Sequence, residues 1–452
     1  MSLKAKYPKY ILAKPDFSKI DTKKITLKLK EIEDFREYFD KANTPKYLYW
    51  DTLRYKAPFD DLLPEETWFL VRQFRDIFAR ETYIASESKA KFRWLRLSNI
   101  DEFLHIIDMY TGGKLFPEQS SISQNKQLIV RGIMEEAIAS SQLEGAHTTR
   151  AAAQKIILEK REPRNESERM IVNNYRTMMS IEEDYKNSEL SLDLIFEIHK
   201  VLTFETVDSS EQGRFRTNSD EIVVEGSIKS ERYITHIPPD EKFLNDEILR
   251  LIDFANDKDG NQFMHPIIKA IFLHFWIGYL HPFTDGNGRL ARALFYWYLL
   301  RKGYWMMMYI PISTVIKKAP MQYGMAYIYT EQDNLDLTYF FDFQIRKIMQ
   351  SLNDFEEYIK RQISKNKKID FTVGKQIILN DRQKNVLHYL ASNDSASTTV
   401  SSHAEVNSIS RQTAAKDLKE LEGRKLLKSR REGKFIKFRA AAKLNELLKG
   451  GD

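Results

Sequence analysis

A chain of 452 residues exceeds what one hydrophobic core usually fills, so two or three domains are expected. Apolar residues make up 42% and charged residues 30%, the balance of a soluble globular protein, and no window is apolar for long enough to span a bilayer. The lack of cysteine excludes disulfides and thiolate metal sites, and a net charge of +6 over this length implies no partner by itself. With no apolar secretory core in MSLKAKYPKYILAKPDF, a cytoplasmic protein is expected, with no membrane partner.

Residues 1 to about 115 mix aromatics with charges, and EETWFLVRQFRDIFARET and SNIDEFLHIIDMY have helical spacing. KLFPEQSSISQNK (114–126) reads as a boundary. LIVRGIMEEAIASSQLEGAHTTRAAAQKIILEK is helical, with one break at Glu144-Gly145. REPRNESER (161–169) is a loop opening another helix. GRFRTNSDEIVVEGSIKSERYITHIPPD (213–240) is β-branched, punctuated by Gly226 and closed by Pro238-Pro239, which predicts a hairpin. Helices resume to about residue 365, where KNKKIDFTVGKQ (365–376) reads as a lysine-rich connector.

HPIIKAIFLHFWIGYL (265–280) is apolar on nearly every face, as a central buried helix must be. Pro266 suits its first turn, and Pro282 stops it near His281. The next helix opens with RLARALFYWYLL (289–300). HPFTDGNGRLAR (281–292) therefore places two glycines just before a helix N-terminus, where free N–H groups and the helix dipole favour an anion. Gly286 and Gly288 let the backbone approach a ligand, and Arg289 and Arg292, three apart, can reach phosphate oxygens. Asp285 offers a hard oxygen suited to Mg2+, and His281, at the lip, is positioned to take a proton from an attacking hydroxyl. The set describes transfer of a phosphorus-centred group to a hydroxyl.

This stretch resembles the signature of the Fic family, HxFx[D/E]GNGRxxR, and matches it at every specified position. The likeness is good from about 126 to 350 and looser in the first hundred residues. It implies transfer of AMP from ATP to a Ser, Thr or Tyr hydroxyl of a target protein, with release of pyrophosphate. His281 would be the base and Asp285 the Mg2+ ligand; Gly286, Asn287 and Gly288 would cradle phosphates, with Arg289 on phosphate and Arg292 clamping the γ-phosphate. Phe283 would anchor the loop in the core, whereas His199, His265 and His274 are read as core or surface residues. SSQLEG (140–145) resembles the family's inhibitory motif [S/T]xxxE[G/N] through Ser140, Glu144 and Gly145. Independently, Ser140 and Glu144 share a helix face, Gly145 is a natural C-terminal stop, and a carboxylate in a last turn needs a cation nearby. The resemblance pairs Glu144 with Arg292, leaving ATP unproductively held. The 222–237 hairpin resembles the family's flap, whose exposed backbone could pair with an extended target segment.

In the tail, VLHYL gives a helix, Ser410 caps another through RQTAAKDLKELEGRKLL, and KSRREGKFIKFR is a hairpin around Glu432-Gly433. That order resembles a winged helix. Arg411 to Lys443 holds twelve Lys+Arg and four Asp+Glu, a balance of +8, and Arg411, Gln412 and Thr413 open the helix that would read bases. Duplex DNA and a docked protein both remain open as its partner.

The expected architecture is mostly α: a helical region over 1–120, a Fic core with a β-hairpin flap and inhibitory helix over 121–365, and a winged helix-turn-helix over 375–452. The expected partners are ATP, a target protein and duplex DNA, with homodimerisation left open. The alternatives are a DNA-binding regulator that only senses nucleotide, and a Fic transferase using another donor such as UTP or GTP.

Overall fold

The computed structural model describes residues 7–28, 32–110, 122–159, 161–260, 263–374, 378–392, 396–407, 409–432 and 435–449. It divides into two compact units, Met1–Gly113 with Arg131–Ser351, and Lys114–Val130 with Leu352–Asp452. The fold is mostly helical, and the strands among the described residues form three small antiparallel hairpins. The expected boundary at 114–126 falls largely outside the described residues.

The first unit opens with α1 (Thr22–Lys28), α2 (Ile32–Asn43), α3 (Trp50–Leu53) and α4 (Pro64–Phe78). Sequence spacing carries α4 on through Thr82, but it stops at Phe78, and β1 (Arg80–Ala85) pairs with β2 (Lys91–Trp94). Thr82, Tyr83 and Ile84 favour a strand, and the turn is made by Lys89 at φ 66°. After α5 (Ile100–Met109) comes α6 (Ile122–Leu143), whose residues from Arg131 belong to this unit. Phe35, Trp50 and Trp68 form an aromatic core with Ile328 and Tyr339 from much later in the chain. Within it Arg75 is buried 3.7 Å from the Tyr47 ring centroid and donates to Asn43, Tyr339 and the Leu48 carbonyl.

There follow α7 (Arg150–Glu159), α8 (Glu166–Ser180), α9 (Leu192–Thr203), the hairpin β3 (Val224–Ile228) and β4 (Glu231–His236), and α10 (Glu241–Ala255). The hairpin turns at Lys229-Ser230, both with positive φ. Gly226 lies within β3, where a Cβ would come 2.7 Å from Thr235 Cγ2. The outer edge of β4 is closed by residues 8–10: Tyr10 N donates to Ile234 O and Ile234 N to Pro8 O, both at 2.9 Å.

At the centre lie α11 (Pro266–Leu280) and α12 (Asn287–Arg301), joined by the loop 281–286. Ile267 through Ile277 are all buried, as an apolar helix without a polar face requires. The unit is completed by α13 (Ile312–Ile316), α14 (Pro320–Gln332) and the start of α15 (Thr338–Gly374). The stretch read as a connector, 365–376, is helical as far as Gly374. It holds no proline, and lysines propagate a helix well.

In the second unit, α16 (Asp381–Ser392), α17 (Val400–Asn407) and α18 (Arg411–Gly423) precede β5 (Leu427–Glu432), β6 (Phe435–Ala440) and α19 (Ala442–Lys449). Leu387, Leu390, Leu418, Leu421, Phe438 and Leu444 form its core. Ser410 caps α18 by accepting from Thr413 N at 3.1 Å. That helix ends at Gly423 rather than running through Leu427, because Lys425 takes a left-handed φ of 61°. Thr398 and Phe438 exchange two backbone hydrogen bonds, at 2.9 and 2.8 Å, an isolated antiparallel bridge on the outer side of β6. Gly433, expected at the hairpin turn, lies outside the described residues. No helix among the described residues is long and apolar enough to cross a membrane.

Candidate active site

His281 caps the C-terminus of α11 in a left-handed conformation, φ 46°, with its N–H bonded to Ile277 O. A non-glycine residue held there stores strain, which is concentrated at functional positions. The strain is sustained by Arg216, which sequence reading passed over. Arg216 Nε donates to His281 O (2.8 Å), its Nη2 to Leu280 O (3.1 Å) and Pro239 O (2.6 Å), and its N–H to Pro282 O (2.9 Å). Burial, followed by the nearby His236 and Arg216 charges, pushes the His281 pKa down to about 3. The ring is neutral near pH 7 and able to accept a proton.

Phe283 is buried and carries the loop into the core. Asn287 fastens that turn: Oδ1 accepts from Phe283 N (2.9 Å) and Nδ2 donates to Phe283 O (2.8 Å). Its amide therefore shapes the loop, and both its ends are engaged there. Gly286 N-caps α12 at φ 83°, and a Cβ would lie 2.9 Å from Thr203 Cγ2. Gly288 has no such φ; a Cβ there would fall 2.1 Å from Glu144 Oε1. The glycine is what lets a carboxylate lie against the first turn of α12, the place where an anion is best stabilised.

The two arginines diverge. Arg289 is fully buried and donates to Leu202 O and Asp285 Oδ2, both at 2.9 Å. Arg292 faces the end of α6, with Nε on Ser140 Oγ (2.7 Å) and Nη2 on Ser140 O (3.1 Å) and Glu144 Oε1 (2.8 Å). Its Nη1 is buried without a partner among the described residues. Gly145, at φ 96°, turns the chain out of α6. Ser140, Glu144 and Arg292 are thus one cluster, 148 residues separating the ion pair in sequence.

Asp285 is half exposed, and only its Oδ2 is engaged, by Arg289. Among the described residues no group of three or more His, Asp or Glu could hold a metal. A single open carboxylate beside an anion site still fits Mg2+, which keeps several waters and binds through one or two carboxylates plus substrate phosphates.

Two further histidines brace the site, one beneath the loop and one at the end of α11. His199, expected in the core or at the surface, is buried beneath it. Its Nδ1 accepts from Gly213 N at 3.0 Å, so its Nε2 carries the proton and donates to Asp285 O at 2.9 Å. The ring stacks on Phe283, centroids 3.6 Å apart and planes within 8°. Burial chiefly, with the Arg289 charge, drives its pKa down to about 4. His236 ties β4 to the end of α11, one ring nitrogen 2.7 Å from Tyr279 O and the other 2.8 Å from Glu331. His199, Arg216 and His236 carry no local signal; each acts through atoms distant in sequence.

Residues 189–299 match the family model described as the Fic/DOC family. This segment is a Fic domain. It contains His199, Arg216, the β3–β4 hairpin, the loop and all but the last two residues of α12, whereas Ser140, Glu144 and Gly145 precede it. The chain is similar to the Nematostella vectensis protein adenylyltransferase Fic, at 34% identity over 119 residues, 26% of this chain and 25% of that one. The Aedes aegypti protein of the same name is also 34% identical over 119 residues, covering 26% and 21%. These alignments span about a quarter or less of the relatives' length. Among solved structures, a Fic family protein from Desulfovibrio desulfuricans aligns with 75% of this chain and 96% of its own, at 17% identity and TM-score 0.46.

Proposed function

We propose that the Fic domain transfers AMP from ATP to a hydroxyl of a target protein and is restrained by Glu144. The relatives named protein adenylyltransferase support the reaction class. The observation that carries the restraint is the pairing of Arg292 with Glu144 and Ser140, with the carboxylate laid against Gly288.

In this reading the triphosphate lies along the loop and the first turn of α12, held by the N–H groups of that turn and by Arg292. His281 takes the proton of the incoming hydroxyl as its oxygen bonds to the α-phosphorus. The bond from the α-phosphorus to the bridging oxygen breaks, and pyrophosphate leaves. Asp285 would hold Mg2+, which would neutralise phosphate charge. Arg289 fixes Asp285 and the loop from beneath. Glu144 competes with the γ-phosphate for one guanidinium. Residues 1–120 would support the core of 121–365, and 375–452 would form a separate winged helix.

The test is labelling of protein by ATP carrying its label on the α-phosphate, with Mg2+ present and UTP and GTP as competing donors. His281→Ala should lower labelling by roughly 10²–10⁴-fold, the usual worth of a general base. Glu144→Gly should raise it, and Glu144→Gly/Arg292→Ala should lose that gain. Label from the γ-position instead would indicate a kinase and sink the reading. A Glu144→Gly protein no more active than the wild type would remove the restraint.

A further inference from the structure

The second unit carries a charge pattern that its own packing does not explain. On the β5–β6 hairpin, Lys428 stands directly across from Arg439, and Arg430 across from Lys437. Like charges opposite each other on one face destabilise a hairpin. Glu432 offsets only part of this, reaching Arg439 at 2.9 Å and Lys437 at 3.4 Å. Four cations therefore share a face with one carboxylate, and Lys428 and Arg430 are exposed with no ion-pair partner among the described residues.

The adjoining helix α18 repeats the pattern. Ala414, Asp417, Leu418 and Leu421 face the core, and the acid among them is consumed internally by Arg382 at 2.8 Å and Asn380 at 3.1 Å. The exposed row is Gln412, Lys416 and Lys419, spaced four and three apart along one face. Neither lysine has an ion-pair partner among the described residues. Helix and hairpin are packed together, Glu422 of α18 accepting from Ser429 N of β5 at 3.0 Å.

We propose that this unit binds double-stranded DNA, α18 entering the major groove and the hairpin lying on the phosphate backbone. An exposed helix of about 10–12 Å diameter matches a groove about 12 Å wide, whereas the major groove of duplex RNA is too deep and narrow for it. Gln412 and Arg411, at the start of the helix, offer donors suited to base edges. Lys428, Arg430, Lys416 and Lys419 supply charge for phosphates at any sequence. An anionic backbone also relieves the two like-charge pairs, which an isolated acidic side chain on a partner protein would do only at one point.

The experiment uses the full chain and a fluorescein-labelled duplex of about two helical turns, followed by anisotropy from about 50 to 200 mM salt. Binding should weaken linearly in log–log form. Lys428→Glu/Arg430→Glu removes two phosphate contacts, so the slope should fall by about 1.8 and the loss across that salt range should shrink about 12-fold. Lys416→Glu/Lys419→Glu, on the other element, should act likewise, so misfolding of one variant leaves the other decisive. Neither variant should melt below the wild type, because all four side chains are exposed, and Lys428→Glu/Arg430→Glu should melt slightly higher, since each new carboxylate faces a cation across the hairpin. No duplex binding at low salt, unchanged binding by both variants, or tighter binding to polyglutamate or duplex RNA than to DNA would each overturn the proposal.

Discussion

His199→Ala removes three things at once: the acceptor for Gly213 N–H, the donor to Asp285 O and the ring stacked on Phe283. A buried polar group left without its partner costs about 1–3 kcal/mol, and an aromatic pair adds about 0.5–1.5 kcal/mol beyond burial. The Asp285 end is close to solvent, where water can replace the lost donor, so the low end applies there. The sum is roughly 3 kcal/mol, a fall of several degrees in the melting temperature of a unit this large. The consequence for transfer follows from position, since the imidazole supports the peptide that carries Asp285 and precedes Gly286. Misplacing that loop by about 1 Å should cost on the order of 10²-fold in rate. His199→Gln can keep a donor near Asp285 O and should restore much of the loss, with KM for ATP recovering more than kcat. The imidazole is neutral near pH 7, so the Gln variant should keep the wild-type pH profile between 6 and 8. The assays are thermal unfolding and α-label transfer with KM and kcat separated. An Ala variant with unchanged melting and unchanged KM would show that the loop needs no such support. A Gln variant whose acid limb moves would show that His199 titrates in the reaction.

His199 and the buried His274, pushed down to about 3 by burial and then Arg292, bind protons more readily unfolded than folded. Stability is therefore fully present above pH 6.5 and lost as pH falls toward 4, by about 1.4 kcal/mol per pH unit for each; urea midpoints identical at pH 7.5 and 5 would contradict this. Gly286→Ala forces a side chain to φ 83° and into Thr203 Cγ2, so melting and transfer should both fall, and adding Thr203→Ser should recover only part because the φ strain stays. Arg216→Lys replaces a fork that reaches three carbonyls with one ammonium, and transfer should drop at least about tenfold, since each charge-assisted bond is worth about 1.5–3 kcal/mol; full activity would show that the His281 conformation needs no clamp.

The α11–loop–α12 unit is legible in sequence because its signals are local. An apolar run stops at Pro282, glycines follow, and arginines open the next helix. Gly145 ends α6 for the same reason, its left-handed φ being a one-residue property. The Glu144–Arg292 pair was legible only through the family resemblance. What escaped is tertiary. Nothing near Arg216 announces that its guanidinium will hold three carbonyls, and His199 lies 86 residues before the carbonyl it holds. Asn287 reads as a ligand-binding amide until Phe283 is seen to occupy both its ends. The β1–β2 hairpin was hidden by the helical periodicity leading into it, and α15 outran its reading because lysine-rich sequence suits a helix as well as a linker.

The bridge from residues 8–10 to Ile234 covers the outer side of β4, so that among the described residues the unpaired border of the β3–β4 hairpin is that of β3. Unpaired borders recruit any extended chain, including another copy of the same protein. Trimming the first eleven residues would leave a second border beside Ile234, and the shortened protein should self-associate and scatter light where the longer one does not. The opening residues would then serve solubility as much as architecture.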